Sequence, residues 1–414
     1  MNKMAVCILT YDRDDLITEF LKTQVELYEQ FEVDVWIYDS NENHVCGKTI
    51  KEYIKLYSNL YYVEVNSNLH SNKKALQIIK GYGRTKKYDY IWFTQDAFRI
   101  EQDELESIIE IVQNDFDIIT IANDDSKCLS SKEYYDVREY FKDSAWKLTG
   151  YGNCILKTSS MIDNADWDKI EKKYLVDTCI NYAHVGYYFE QLLLIEQPKM
   201  FYKHVNYGKY YMSKLKKQPS WIKNVFHIIC EVWVGLIDKL PDYYDVYKKE
   251  VIKSLCIDAN FFSFRKFIYY RKLDIYNMDI YNKYKNIWPM LCDLDEDFLK
   301  KLAETELNEV ENFENYRILK FYEKYRNIYI YGSGIVANEV VEILKRNKKD
   351  WISFLVSDVS LNKQNLHNHN IVKFEKKMIK KDVGIIMGVN YKNYNEIVKK
   401  YNLYTLENHL LAMY

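Results

Sequence analysis

Short apolar runs that end in polar, turn-forming residues punctuate the first third of the chain, with amphipathic stretches between them. Residues 5–9 (Ala-Val-Cys-Ile-Leu) run into Thr10, Tyr11 and Asp12, as a buried strand and its exit loop would. Leu16, Phe20, Val25 and Leu27 recur near helical spacing and predict one helix over 14–30. Further strands are predicted over 33–38, closed by Asp39-Ser40-Asn41, over 60–65, over 90–93, ending in Thr94, Gln95 and Asp96, and over 117–122. The stretch 66–72 reads as a polar loop and 73–81 as a helix. Strands alternating with helices predict an α/β domain with a largely parallel sheet. In such sheets ligands bind beyond the carboxyl ends of the strands. Asp12, Asp39, Asn68 and Asp96 fall at those ends.

The pattern changes near residue 213. Residues 220–240 form one amphipathic segment, and aromatic-rich helical sequence continues to about residue 324. At 327 the α/β signal returns, with strands over 328–331, 352–356 and 383–387 and a helix over 335–346. The expected division is a nucleotide-binding domain over 1–212, a helical linker or lid over 213–325 and a small Rossmann-like α/β domain over 326–414.

The 414 residues, 48% hydrophobic and 29% charged, describe a globular chain too long for one core. A formal net charge of −2 argues against a broad nucleic-acid footprint. With 40 tyrosines, no single tyrosine points to sugar stacking. Eight cysteines without a Cys-x-x-Cys pair suit buried thiols in a reducing compartment, and the expected location is cytoplasmic. No run of about 18 apolar residues predicts a membrane span. Trp221 and Trp233, with Lys214, Lys216 and Lys217 upstream, would suit the inner face of a membrane, but packing against the first domain is the simpler expectation. Homo-oligomerisation is left open.

A nucleotide-sugar donor leaves a diphosphate behind, and a hard divalent cation (Mn or Mg) held by carboxylate oxygens eases its departure. Asp96 is placed for that cation, Asp39 for a base or ribose, and the loop Thr10-Tyr11-Asp12-Arg13 for the base. Residues 4–210 resemble a family 2 glycosyltransferase of the GT-A fold. The segments VCILTYDR, VDVWIYDSN, VNSNLHSNKKALQIIKGY, YDYIWFTQDAFRI and KMFYKHVNYG stand in that family's order. The resemblance implies donor contacts from Thr10, Tyr11, Asp12, Asp39, Asn68, Gln95 and Asp96, and metal ligation by Asp96 with His204. It also implies an inverting general base shortly before the closing histidine, either Glu190 or Asp177. Where the family usually carries Asp-x-Asp, this chain has Thr94-Gln95-Asp96, with one carboxylate. The C-terminal segments NIYIYGSGIVANEVVEIL, FLVSD and VGIIMGV are similar to the small N-terminal domain of sialic-acid and bacillosamine-type sugar acyltransferases. That similarity implies a second nucleotide site at Gly332, Gly334 and Asp358.

The expected activity is hexosyl or deoxyhexosyl transfer to a glycan or lipid-linked glycan in bacterial surface polysaccharide or glycoconjugate synthesis. A non-catalytic nucleotide-sugar sensor or scaffold and a sugar nucleotidyltransferase are the alternatives. Each candidate residue also has a plain structural use. Asp96 and Asp12 could cap helices, Asp39 could form a turn, Glu190 could be paired, His204 could be a strand histidine, and the glycines could permit close packing.

Overall fold

The computed structural model describes residues 2–44, 46–68, 71–85, 87–122, 130–205, 210–212, 220–360, 365–389, 391–403, 406 and 409–412. The chain divides into two compact units, the first drawn from residues up to Leu255 and the second from Cys256 to Tyr414. That boundary falls inside the helical stretch.

The first unit is built on an eight-stranded sheet. Its strands are β1 (Met4–Thr10), β2 (Asp34–Asp39), β3 (Leu60–Glu64), β4 (Tyr90–Gln95), β6 (Ile118–Ala122), β7 (Lys132–Tyr134), β8 (Cys154–Lys157) and β9 (Met200–His204). β5 (Phe98–Ile100) instead pairs antiparallel with β10 (Tyr210–Met212) in a separate ribbon. The sheet order is β3-β2-β1-β4-β8-β6-β9-β7. β1 to β4 run parallel, and β8 lies antiparallel between β4 and β6. The sheet is therefore mixed, where the apolar runs predicted a largely parallel one.

Successive strand side chains point to opposite faces, so the buried residues sort by parity. Val6, Ile8, Val35, Ile37, Trp92, Ile119 and Ile121 pack with helices α1 (Asp14–Thr23), α2 (Val25–Gln30), α3 (Gly47–Ile54) and α5 (Gln102–Val112). α4 (Ser71–Thr85) and, beyond α6 (Val137–Ser144) and α7 (Trp167–Tyr174), α8 (Ala183–Leu192) pack against each other. The helix expected over 14–30 is two helices broken at Gln24, whose buried side chain accepts the Ile100 backbone N–H at 2.8 Å.

Residues 220–240 are helical, but with a wide π turn over Ile228–Trp233. Val225, Phe226, Ile229, Cys230, Val232, Trp233, Leu236 and Ile237 are all buried. Gly235 lies so close to the Thr178 carbonyl that a Cβ would come within 2.9 Å of it. Trp233 is thus a core residue of the first unit, whereas Trp221 is 41% exposed. Lys214, Lys216 and Lys217 lie outside the described residues, as do Leu69, His70 and Asn206–Gly208 of the family-like segments. No described helix is long and apolar enough to cross a membrane. The seven described cysteines are buried.

The second unit carries the strands β11 (Asn327–Tyr331), β12 (Phe354–Val356), β13 (Asn365–Leu366), β14 (His369–Lys373), β15 (Val383–Met387) and β16 (Leu410–Ala412) in the order β13-β14-β12-β11-β15-β16. All neighbours but β13 and β14 run parallel. The helix Ile335–Arg346 spans the residues its periodicity marks.

α7 and α8 meet where Gly186 faces the Tyr174 ring, and a Cβ there would lie 2.6 Å from a ring carbon. Gly186→Ala overpacks this contact and is expected to destabilise the first unit by about 1–3 kcal/mol. Urea denaturation checks it, and an unchanged midpoint would show that Tyr174 yields freely.

Candidate functional site

The chain runs outward from β1 through β2 to β3, then returns to place β4 on the other side of β1. This reversal of strand order opens a crevice at the carboxyl ends of β1 and β4. Thr10 ends β1 and Asp96 follows β4 directly. The Asp96 carboxylate is fully buried. Its Oδ2 accepts the Thr10 hydroxyl at 2.7 Å and its Oδ1 accepts Arg13 Nη1 at 3.0 Å. Burial pushes the Asp96 carboxyl above its ordinary value, against the Arg13 charge, the Thr10 and Arg13 hydrogen bonds and the Arg99 charge.

Arg99 fastens this turn from below. Its guanidinium donates to the carbonyls of Asp96 at 2.7 Å, Phe98 at 2.8 Å and Leu16 at 2.9 Å. Glu19 lies 3.4 Å away. Gln95 Nε2 donates to the Tyr151 carbonyl at 3.1 Å. Asn72 sits behind, between the Tyr151 hydroxyl and the buried imidazole of His184, whose other nitrogen faces the Leu148 carbonyl at 3.0 Å.

Asp39, one strand over, is also fully buried, and its carboxylate is turned to its own loop. It accepts the Tyr62 hydroxyl at 2.9 Å, the Cys46 thiol at 3.2 Å and the Asn41 N–H at 2.9 Å, with His44 Nδ1 3.4 Å away. Burial and the bond to Asp39 push the Cys46 thiol up to about 12. Asp39 therefore ties down the loop after β2 rather than facing the crevice. Asp12 is exposed with φ +52°, Tyr11 is 58% exposed, and Asn68 is exposed with its N–H on the Asn66 side chain at 2.8 Å.

The structure does not bring Asp96 and His204 together. Three inter-strand steps separate β4 from β9, about 14 Å at about 4.8 Å per strand. Moreover, β9 turns Lys203 to Glu104 and Ser107 of α5, so His204 points to the opposite face of the sheet, while Asp96 meets Thr10 on the α1 side. Ligands of one divalent ion must sit about 2.0–2.6 Å from it. With both Asp96 oxygens engaged and no second carboxylate in the turn, these residues do not fit a divalent cation. Among the described residues no cluster of three His, Cys, Asp or Glu could hold one.

Glu190 accepts Lys173 and the Tyr174 hydroxyl, the latter at 2.8 Å, with Lys169 at 3.6 Å. Burial alone would raise its carboxyl. The hydrogen bonds from Lys173 and Tyr174 and the two lysine charges outweigh that and hold it below its ordinary value. A paired carboxylate of depressed pKa is a poor proton acceptor, and Glu190 serves to clamp α7 to α8. Asp177 stands exposed in the turn that follows α7.

Arg13 belongs to the loop read as a base contact, but its pairing with Asp96 was not foreseen, and Lys74 went unmarked. Lys74, in the first turn of α4, is only 6% exposed, donates to the Ser67 carbonyl at 3.0 Å and lies 5.7 Å from the Tyr11 ring centroid. Its signal was helical phase, since it shares the buried side of α4 with Ala75 and Ile78. Lys74 also borders a cavity of about 470 Å³ walled by Trp36, Tyr38, Val63, Val65 and Asn66.

In the second unit, Gly332 has φ +105°, and a Cβ there would meet the Gly388 carbonyl at 2.7 Å. Asp358 is exposed and accepts the Ser360 N–H and hydroxyl at 2.8 and 2.7 Å. A Cβ on Gly334 would meet nothing.

No family model matches the chain, and no curated protein matches it. Among solved structures, S. aureus TarS 1-349 is similar over 78% of this chain and 93% of its own, at 11% identity and TM-score 0.41. The mannosyltransferase PcManGT from Pyrobaculum calidifontis, solved with GDP-Man and Mn2+, is similar over 74% and 87%, at 10% identity and TM-score 0.38. Glucosyl-3-phosphoglycerate synthase from Mycobacterium tuberculosis is similar over 58% and 81%, at 8% identity and TM-score 0.37.

Arg13→Ala leaves the buried Asp96 charge without its cation, and a loss of about 2 kcal/mol is expected. Pairing it with Asp96→Asn removes the stranded charge, so the double variant should recover most of that loss. Additive losses in a denaturation cycle would mean that the pair is not coupled. Burial lowers the His184 imidazole to about 4 from an ordinary 6.5, so the folded chain keeps it neutral while the unfolded chain protonates it. Its stabilisation is full above pH 6.5 and is lost as pH falls toward 4, by up to about 3 kcal/mol. His184→Gln should flatten that part of the stability–pH curve.

Proposed function

We propose that this chain is an inverting glycosyltransferase that moves a sugar from a nucleotide-sugar donor to a hydroxyl acceptor during synthesis of bacterial surface polysaccharide or glycoconjugate. The observation that carries this reading is what gathers at the β1–β4 crevice. Arg13, rooted in Asp96, shares one loop with exposed Tyr11, and Lys74 lies 5.7 Å from the Tyr11 ring and borders a cavity walled in part by aromatic rings. Such a place suits a ligand with a flat base and an anionic tail. Asp12 and Asn68 remain exposed for the ribose or sugar hydroxyls. The order of the family-like segments agrees with this reading.

Inversion requires a base to take the acceptor's hydroxyl proton. With Glu190 clamped between two lysines, Asp177 is the base in this proposal. One observation favours a non-catalytic sensor instead: the Asp96 carboxylate is already neutralised by Arg13.

Thermal shift with UDP-, dTDP-, GDP- and CDP-sugars tests donor binding, since a ligand of the native state stabilises it by RT ln(1 + [L]/Kd). One donor class is expected to raise the midpoint, and Asp177→Asn should keep that shift while losing transfer to added acceptor. No shift with any donor would sink the glycosyltransferase reading. Binding without hydrolysis or transfer would select the sensor.

A further inference from the structure

We infer that the donor's diphosphate is held by Arg13 and Lys74 in place of a divalent cation. This rests on the proposed nucleotide-sugar site and deepens it.

The position next to Asp96 that a cation would need is filled by the Arg13 guanidinium. Each Asp96 oxygen already accepts one hydrogen bond, from Thr10 or from Arg13, and Thr94 and Gln95 bring no second carboxylate. Arg13 keeps 41% of its side chain exposed, and Asp96 is its single ion-pair partner among the described residues. A guanidinium has five N–H donors in a rigid fork that matches phosphate oxygens, and Asp96 takes one of them.

Lys74 supplies the second charge. An ammonium buried to this degree is costly unless a counter-ion meets it. Among the described residues no carboxylate pairs with it, and its one hydrogen bond goes to a neutral carbonyl. Burial lowers its pKa, the mark of a cation that lacks its anion. It sits in the first turn of a 15-residue helix, on the ring of Tyr11, two residues before Arg13. Both cations therefore border one loop. Burial raises the Asp14 carboxyl, and the charges of Asp12, Asp39 and Asp15 raise it further.

The charges balance. A divalent ion on one aspartate leaves one net positive charge for the diphosphate. The neutral Arg13–Asp96 pair with Lys74 leaves the same. In the transfer, the bond between the anomeric carbon and the β-phosphate oxygen breaks with its electron pair on that oxygen. The acceptor oxygen bonds the anomeric carbon as its proton passes to the base. The charge growing on the diphosphate is met by fixed cations, so no ion has to be recruited.

The test is calorimetric titration of the full chain, freed of metals with EDTA, with UDP, dTDP, GDP and CDP, repeated in MnCl2. One diphosphate is expected to bind in EDTA with a Kd within about threefold of its value in manganese, about 0.6 kcal/mol. Lys74→Met should weaken it about tenfold and weaken the matching monophosphate less. The Arg13→Ala/Asp96→Asn double variant, which removes the charge pair without stranding either member, should do the same with most of its melting temperature kept, and Arg13→Lys should retain part of the affinity. Binding that appears only in manganese overturns the inference and leaves the glycosyltransferase reading standing. Binding in EDTA that neither Lys74→Met nor the double variant weakens also overturns it. If no diphosphate binds under either condition, the donor-site reading fails and takes this inference with it.

Discussion

The geometry of the crevice depends on one buried carboxylate. An ionised aspartate withdrawn from water is tolerated only where hydrogen bonds and opposite charge replace its hydration. Asp96 meets that condition with Thr10 from the neighbouring strand and Arg13 from the loop after it. The bonds lock the end of β1 to the end of β4. Arg99, donating to the carbonyl of Asp96 and to α1, fixes the turn against the helix layer. The loop carrying Tyr11 to Arg13 is thus held at both sides, so what it presents to a ligand is set by an internal electrostatic requirement.

Other candidate carboxylates are spent in the same way. Asp39 joins the loop leaving β2 to β3, accepting from Cys46 and Asn41 of that loop and from Tyr62 of β3. Glu190 holds the Tyr174 hydroxyl, and the Tyr174 ring lies on Gly186. A strand-end or helix acid has a structural use and a chemical use, and burial separates them. Asp39 and Asp96 are completely withdrawn from water, whereas Asp12 and Asp177 are open to it.

Much of the scaffold was legible because buried parallel strands need near-continuous apolar runs and end in polar turns. β1, β2, β3, β4 and β6 were marked by that rule alone. β8 was not, since four residues with no alternation resemble any short apolar stretch, and only pairing reveals an antiparallel strand between β4 and β6. The polar terminators located the crevice but not the direction of each side chain. Pairing between Arg13 and Asp96 spans 83 positions and leaves no local pattern. Lys74 sits in a Lys-Lys pair of which only helical phase buries one member. Asp96 and His204 stand in family order, yet order along a chain does not measure distance across a sheet.

The glycines of the second unit show the same limit from the other side. A dinucleotide fingerprint asks for a third glycine where helix and strand approach, and this chain has Ala337 there. The close approach is nevertheless present. A Cβ on Gly388, at the end of β15, would fall 2.7 Å from the Ala337 Cα, and one on Gly332 would meet the Gly388 carbonyl at 2.7 Å. The missing glycine has a spatial substitute on the adjacent strand. The Gly332 turn is therefore explained by packing and by its positive φ, with no ligand needed. A glycine motif reports where backbone must pass close to backbone, and only free, unmet polar groups at the same place make it a site. In the first unit Lys74 has no carboxylate partner among the described residues and Arg13 keeps 41% of its side chain exposed beyond its bond to Asp96, whereas Asp358 in the second is turned back onto Ser360.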